Sequence, residues 1–198
     1  PSLLMKLSTN NLIKKSITKA IGYKLILVAC SLLFAFSPIA FAKSTLQKVF
    51  IKNLPNGHYQ LTVGNKPYVV KGVCYNPVPI GEGYDYDWWS DTYKPWLVDG
   101  KLMKQMGVNT VRIYQPGKDP AAVKKVIKDL YENFGIRVVL GNWLGFWEYP
   151  CPFYGDKDFR ERIKKEVLDM VREYKDEPGV LAWILGNENN YSCAGFVN

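Results

Sequence analysis

The sequence predicts an α/β protein, specifically the first four βα units of a (β/α)8 TIM barrel preceded by an N-terminal β-hairpin, that is, a partial barrel. Three observations predict it. Short apolar runs alternate with amphipathic helical stretches from residue 69 onward, the pattern of a parallel sheet with right-handed crossovers. Long loops follow the first and third strands, on the side where a barrel builds its active face. The apolar run Val180-Leu181-Ala182-Trp183-Ile184-Leu185 reads as a strand buried on both faces, and it breaks abruptly into Gly186-Asn187-Glu188-Asn189. An open doubly wound sheet also fits the alternation. No glycine-rich phosphate loop follows the first strand, which counts against a nucleotide-binding sheet of that kind.

The elements follow in order. Tyr59–Val63 and Tyr68–Tyr75 flank the turn Gly64-Asn65-Lys66-Pro67 and read as a hairpin, whose second arm becomes the first buried strand, Val69–Tyr75. An aromatic, glycine- and aspartate-rich loop spans 76–95. Trp96–Met106 is helical, and Gly107 ends it. Val108–Tyr114 is the second strand. Asp119 caps a helix over Pro120–Asn133, with proline at its first position and apolar residues at Val123, Val126, Ile127, Leu130, Tyr131 and Phe134. Gly135 stops it. Ile136–Trp143 is the third strand, and a second aromatic loop runs over 144–155. Asp158–Lys175 is a long helix with Phe159, Ile163, Val167, Met170, Val171 and Tyr174 inward, ended by Pro178-Gly179. Val180–Asn187 is the fourth strand.

The first 42 residues read as a separate segment. Lys6, Lys14, Lys15, Lys19 and Lys24 precede the 12-residue apolar run Leu25–Phe36, and Ala40-Phe41-Ala42 supplies a small-x-small cleavage pattern. That is the layout of a secretory signal peptide cleaved after Ala42. The uncharged span Leu25–Ala42 is also just long enough for an uncleaved anchor, so membrane association through this segment stays open. Leu27-Val28-Ala29-Cys30 resembles a lipoprotein box. The expected location is therefore exported: periplasmic, secreted or in the cell envelope. Residues 43–198 form the expected second region. The formal charge of +8 is concentrated in the leader, since the remainder has 21 basic against 18 acidic residues. No basic stripe interleaved with aromatics appears, so no nucleic-acid partner is expected. Cys74 reads as a buried free thiol. Cys151 and Cys193, in the loops after the third and fourth strands, are a candidate disulfide. The single histidine, His58, precedes the first buried strand, so no His-based triad, metal cluster or cofactor is expected.

The strand ends hold the residues suited to chemistry. Glu188 follows a buried strand directly, where partial desolvation suits a carboxyl to general acid work. Asn187 beside it can hydrogen-bond a sugar 2-hydroxyl. Arg112 lies between Val111 and Ile113, and a charge at such a position needs a partner. Asn142-Trp143 ends the third strand, Tyr75 the first and Tyr114 the second, and these join Arg112 and Asn187 as candidate substrate-binding residues. Tyr84, Tyr86, Trp88, Trp89, Trp147 and Tyr149 crowd the two long loops, a density that suits a carbohydrate cleft.

Three stretches resemble the clan of retaining (β/α)8 β-glycosidases. They are Gly64-Asn65-Lys66-Pro67-Tyr68-Val69-Val70-Lys71-Gly72-Val73, Met106-Gly107-Val108-Asn109-Thr110-Val111-Arg112-Ile113-Tyr114 and Trp183-Ile184-Leu185-Gly186-Asn187-Glu188. They look most like the barrel domain of family 2 glycoside hydrolases and are also similar to the fungal β-1,3-glucanosyltransferases of family 72. The resemblance spans about residues 60–192. It implies a glycoside hydrolase or transglycosylase acting on an oligo- or polysaccharide with β linkages, and with the leader the expectation is an exported one. It implies that Glu188 is the acid/base, that Asn187 lies beside it and that Arg112 supports the site. It also implies a nucleophilic second glutamate on the seventh barrel strand, outside this sequence, so the expectation is an N-terminal half inactive by itself. A competing expectation is a non-catalytic carbohydrate-binding or envelope-associated barrel.

Overall fold

The computed structural model describes residues 46–146 and 152–189. The expected leader, Trp147, Glu148 and Tyr149 of the second aromatic loop, and the Cys151–Cys193 pair lie outside the described residues.

Two sheets are built in chain order. The first is antiparallel, with β1 (Val49–Asn53), β2 (Tyr59–Val63) and the two-residue β3 (Lys66–Pro67). β1 pairs with β2 along its whole length, from Val49 opposite Val63 to Asn53 opposite Tyr59. The sequence reading missed β1 because its residues do not alternate cleanly: Lys52 and Asn53 close it, and Ile51 is exposed. The hairpin itself differs from expectation. Gly64 and Asn65, both at positive φ, make a two-residue turn, and the second arm is Lys66–Pro67 alone. Pro67 has no N–H to extend the ladder.

The second sheet is parallel, in the order β4 (Gly72–Cys74), β5 (Thr110–Ile113), β6 (Arg137–Asn142), β7 (Val180–Leu185). This is the order and direction that the alternation predicts. β4 begins at Gly72 rather than Val69. The Asn109 side chain intercepts the chain before it, accepting from Lys71 N at 2.8 Å and donating to Val69 O at 2.8 Å, so residues 69–71 bond to an amide instead of a strand. Among the described residues β4 and β7 each have one neighbour. That is why β7, expected to be buried on both faces, is largely half-exposed, with Leu185 56 % exposed.

Three helices connect the parallel strands: α1 (Pro95–Gln105), α2 (Pro120–Phe134) and α3 (Lys157–Tyr174). Asp119 caps α2 by accepting from Ala121 N, and Gly135 closes it at φ 72°, as the sequence signals require. Asp156 caps α3 by accepting from Phe159 N, one residue earlier than expected. Val111 and Ile113 of β5, Val138 and Leu140 of β6, Trp96 and Met103 of α1, Val123, Val126, Ile127 and Leu130 of α2, and Met170 and Tyr174 of α3 share one buried cluster. All three helices therefore cover the same face of the sheet. Each fully buried aliphatic of α2 contributes roughly 1.5–3 kcal/mol relative to exposure. Because side chains alternate along a strand, Arg112, Val139 and Gly141 occupy the opposite, helix-free face.

Candidate functional site

Arg112 anchors the helix-free face near the C-terminal end of the sheet. Its strand position pairs with Cys74 on one side and Val139 on the other. Nη2 donates to Asn187 Oδ1 at 2.7 Å, tying the second strand to the turn after the fourth. The guanidinium carbon lies 4.6 Å from the centroid of the Tyr114 ring. That ring stacks on Trp143 at 5.2 Å and 10°. Phe146 and Tyr84 pack against Trp143 at 5.5 and 6.4 Å. The result is a column of cation, phenol and indole across the ends of β5 and β6. Arg112 Nε is buried with no hydrogen-bond partner among the described residues. A buried donor left unpaired is costly, so this atom is a donor available to an incoming acceptor. The Tyr114 hydroxyl is held above its ordinary pKa, first by its hydrogen bond with Cys74 and then by burial, while Arg112 pulls the other way.

The turn that bears Glu188 is tightly fixed. Gly186 takes φ 93° and donates its N–H to Asn142 O at 2.8 Å. A Cβ at Gly186 would collide with Asn189 Oδ1, so the position requires glycine twice over. Glu188 itself sits at φ 51°, in the left-handed region that a branched or long side chain enters at roughly 1–2 kcal/mol. Its side chain is exposed and makes no hydrogen bond or ion pair with a described residue. Asn189 donates to Trp143 O at 3.0 Å and to Tyr154 Oη at 2.8 Å.

The structure brings Arg112, Tyr114, Trp143, Asn187 and the Glu188 turn together, and separates two other expected residues from them. Tyr75 is 8 % exposed on the helix side, where its hydroxyl donates to Asp99 of α1 at 2.8 Å and its ring meets Trp88 edge-on. It follows Cys74 on the strand, and the alternation that turns Cys74 outward turns Tyr75 inward. Asn142 shares the parity of Val138 and Leu140. It lines a groove with Pro116, Met170 and Tyr174 on the helix side, and its Oδ1 accepts from Leu144 N at 2.8 Å. It shares the sheet end with Arg112 but not the face. Cys74, expected to be buried, is a free and exposed thiol, because the helix-free face of this edge strand is open.

The loop aromatics divide. Trp88 and Trp89 stack on each other at 4.2 Å and belong to the core. Tyr86 donates to Asp91 at 2.8 Å. Tyr84 is 55 % exposed beside Trp143. A cleft of about 90 Å³ lies between the loops after β4 and β5, lined by Asn76, Tyr84, Asp85, Asp87 and Lys118 among others. It is far below the roughly 300–1,000 Å³ of small-molecule pockets, and it meets the aromatic column at Tyr84 and Tyr114. No group of three His, Cys, Asp or Glu side chains able to hold a metal ion occurs among the described residues, and none of their helices is long and apolar enough to cross a membrane. Asn189 and Tyr154 are site residues that sequence reasoning did not single out. Asn189 was signalled by its place beside Glu188, whereas nothing local marks Tyr154.

No family model and no curated protein matches the chain. Among solved structures the chain is similar to the exo-chitosanase CsxA of Amycolatopsis orientalis, with a TM-score of 0.48 at 17% identity. Two further structures of the same enzyme, described as an exo-β-D-glucosaminidase with a glucosamine-configured castanospermine and as a complex with PNP-β-D-glucosamine, give the same score at 18% and 19% identity. Each match covers 69% of this chain and 15% of the other. The chain thus spans about 15% of the length of the structures it matches. At that score and identity the likeness assigns neither substrate nor residue roles.

Proposed function

We propose that this chain is the first half of a (β/α)8 barrel from an exported retaining β-glycosidase or transglycosylase, with Glu188 as its acid/base. The observation that carries the reading is the 2.7 Å bond from Arg112 to Asn187, which spans the sheet at its C-terminal end and leaves the neighbouring Glu188 exposed. In this reading Glu188 protonates the glycosidic oxygen as the first bond breaks. It then takes a proton from water, or from a sugar hydroxyl, as the glycosyl-enzyme is resolved. Asn187 holds the 2-hydroxyl of the sugar. Tyr84, exposed at the rim, offers a face for the sugar ring. Arg112 Nε is the donor available to the partner carboxylate, the nucleophile, which retaining chemistry needs at ~5–5.5 Å from the acid/base.

The half-barrel has its own support. All three helices share one face of the sheet. Val98, Leu102 and Met106 form an exposed apolar stripe at i, i+4, i+8 along α1 to its C-cap, and Val69 and Val70 are exposed beside β4. A helix and strand from the other half would cover both. Export rests on the leader composition of residues 1–42 and is tested by the N-terminal sequence of the mature protein.

Glu188→Gln in the intact enzyme is the direct test. General acid catalysis is typically worth ~10²–10⁴-fold, so turnover of a natural β-glycan should fall by about that factor, while a 2,4-dinitrophenyl β-glycoside should glycosylate the enzyme nearly as fast as before. Unchanged turnover of the glycan would remove Glu188 from the role.

A further inference from the structure

We propose that Asn189 and Tyr154 are positioning residues for Glu188, anchoring the chain after it as Arg112 anchors the chain before it. The proposal rests on the reading of Glu188 as the proton donor. Glu188 lies between two amides, each pinned to a different part of the sheet. Asn187 before it accepts from Arg112 Nη2 at 2.7 Å. Asn189 after it spends both amide hydrogens, one on Trp143 O at 3.0 Å and one on Tyr154 Oη at 2.8 Å. The Tyr154 hydroxyl passes the chain on, donating to Leu144 O at 2.6 Å. Tyr154 is itself held by its ring, which meets Phe159 of α3 edge-on at 5.4 Å and 81°.

The two carbonyls that receive these bonds belong to Trp143 and Leu144, the residues that leave β6. Leu144 also lies in the left-handed region, at φ 53°. Two strained turns, one after β6 and one after β7, are thus cross-linked through one amide and one phenol. A backbone held at positive φ persists where its surroundings over-determine it. The amide of Asn189 supplies that constraint on the C-terminal side of Glu188, and its Oδ1 packs against Gly186 to close the turn. Without it, Glu188 keeps its chemistry and loses its fixed direction. A proton donor has to lie within hydrogen-bond reach of the leaving oxygen, and a displacement near 1 Å is worth on the order of 10²-fold in rate.

The test compares leaving groups in the intact enzyme. The probes are methyl and 2,4-dinitrophenyl β-glycosides of glucose, galactose, mannose or glucosamine, using the sugar that the wild type turns over best. Asn189→Leu keeps approximate shape and removes both donors. Tyr154→Phe keeps the ring on Phe159 and removes one link, so it serves if the first variant folds poorly. Glu188→Gln is the reference. With Asn189→Leu, kcat/KM on the methyl glycoside is expected to fall ~10–100-fold, with less than about a threefold change on the dinitrophenyl glycoside. Tyr154→Phe should show the same selectivity at a smaller size. Equal losses on both substrates, or no loss on either, would overturn the positioning role. If Glu188→Gln itself fails to separate the two leaving groups, the reading of Glu188 fails and the proposal falls with it. A selective loss in Glu188→Gln that Asn189→Leu and Tyr154→Phe do not share leaves Glu188 in place and rejects the clamp alone.

Discussion

Arg112 is the residue on which the site turns. Its planar fork makes an oriented bond to Asn187 while its face lies on Tyr114, and lysine cannot do both. Arg112→Lys should therefore lose the Asn187 bond and the stacking together. A hydrogen bond to a charged group is worth about 1.5–3 kcal/mol, so kcat/KM should fall roughly 10–100-fold in steady-state assays of the intact enzyme. A wild-type value in Arg112→Lys would mean that a point charge is enough and that the fork geometry is incidental. The need for a partner at Arg112 was readable from sequence, because a charge set between two apolar strand residues has to be paired. The identity of that partner was readable only in part. Asn187 was visible as a neighbour of Glu188, but the pairing of residues 75 positions apart depends on sheet register, which no local pattern encodes.

At the scale of elements, the helices and their caps followed the sequence closely, whereas the strand edges did not. α2 runs from its Asp119 cap to Gly135 as the apolar period requires, since capping and periodicity are local physics. β4 fell short of its apolar run because the side chain of Asn109, far away in sequence, captured the preceding backbone. Tyr75 was misread as well. Its place at a strand end was legible but its face was not: the parity that packs Val73 against the helices packs Tyr75 there too. The buried tyrosines also give the helix–sheet contacts a measurable signature. Burial raises the Tyr75 hydroxyl above its ordinary value, with Asp99 reinforcing it, and burial pushes Tyr174 of α3 up to about 12. For a group raised on folding, the stability is fully present below the unfolded value of 10.0 and is lost as pH climbs through the folded value. The check is an alkaline titration followed by tyrosinate absorbance and circular dichroism. Tyr75 and Tyr174 should ionise late and together with loss of helix by circular dichroism. Early ionisation of all tyrosines in the folded protein would contradict the docking of α1 and α3.

For the whole molecule, the described sheet has a helix-covered face, an open face with the Arg112–Tyr114–Trp143 column, and two edge strands. An exposed edge and an exposed apolar stripe invite pairing, and a second set of βα units would satisfy both. The same completion would supply the second carboxylate. If Glu188 is the acid/base of a retaining mechanism, azide rescues the enzyme that lacks it. In Glu188→Ala of the intact enzyme, a 2,4-dinitrophenyl β-glycoside still forms the glycosyl-enzyme, because its leaving group needs no proton. Water then attacks slowly without a base, and azide, which needs none, attacks from the same face. Azide should accelerate turnover, and the product, read by proton NMR, should be the β-glycosyl azide. No acceleration, or an α-glycosyl azide, would contradict it.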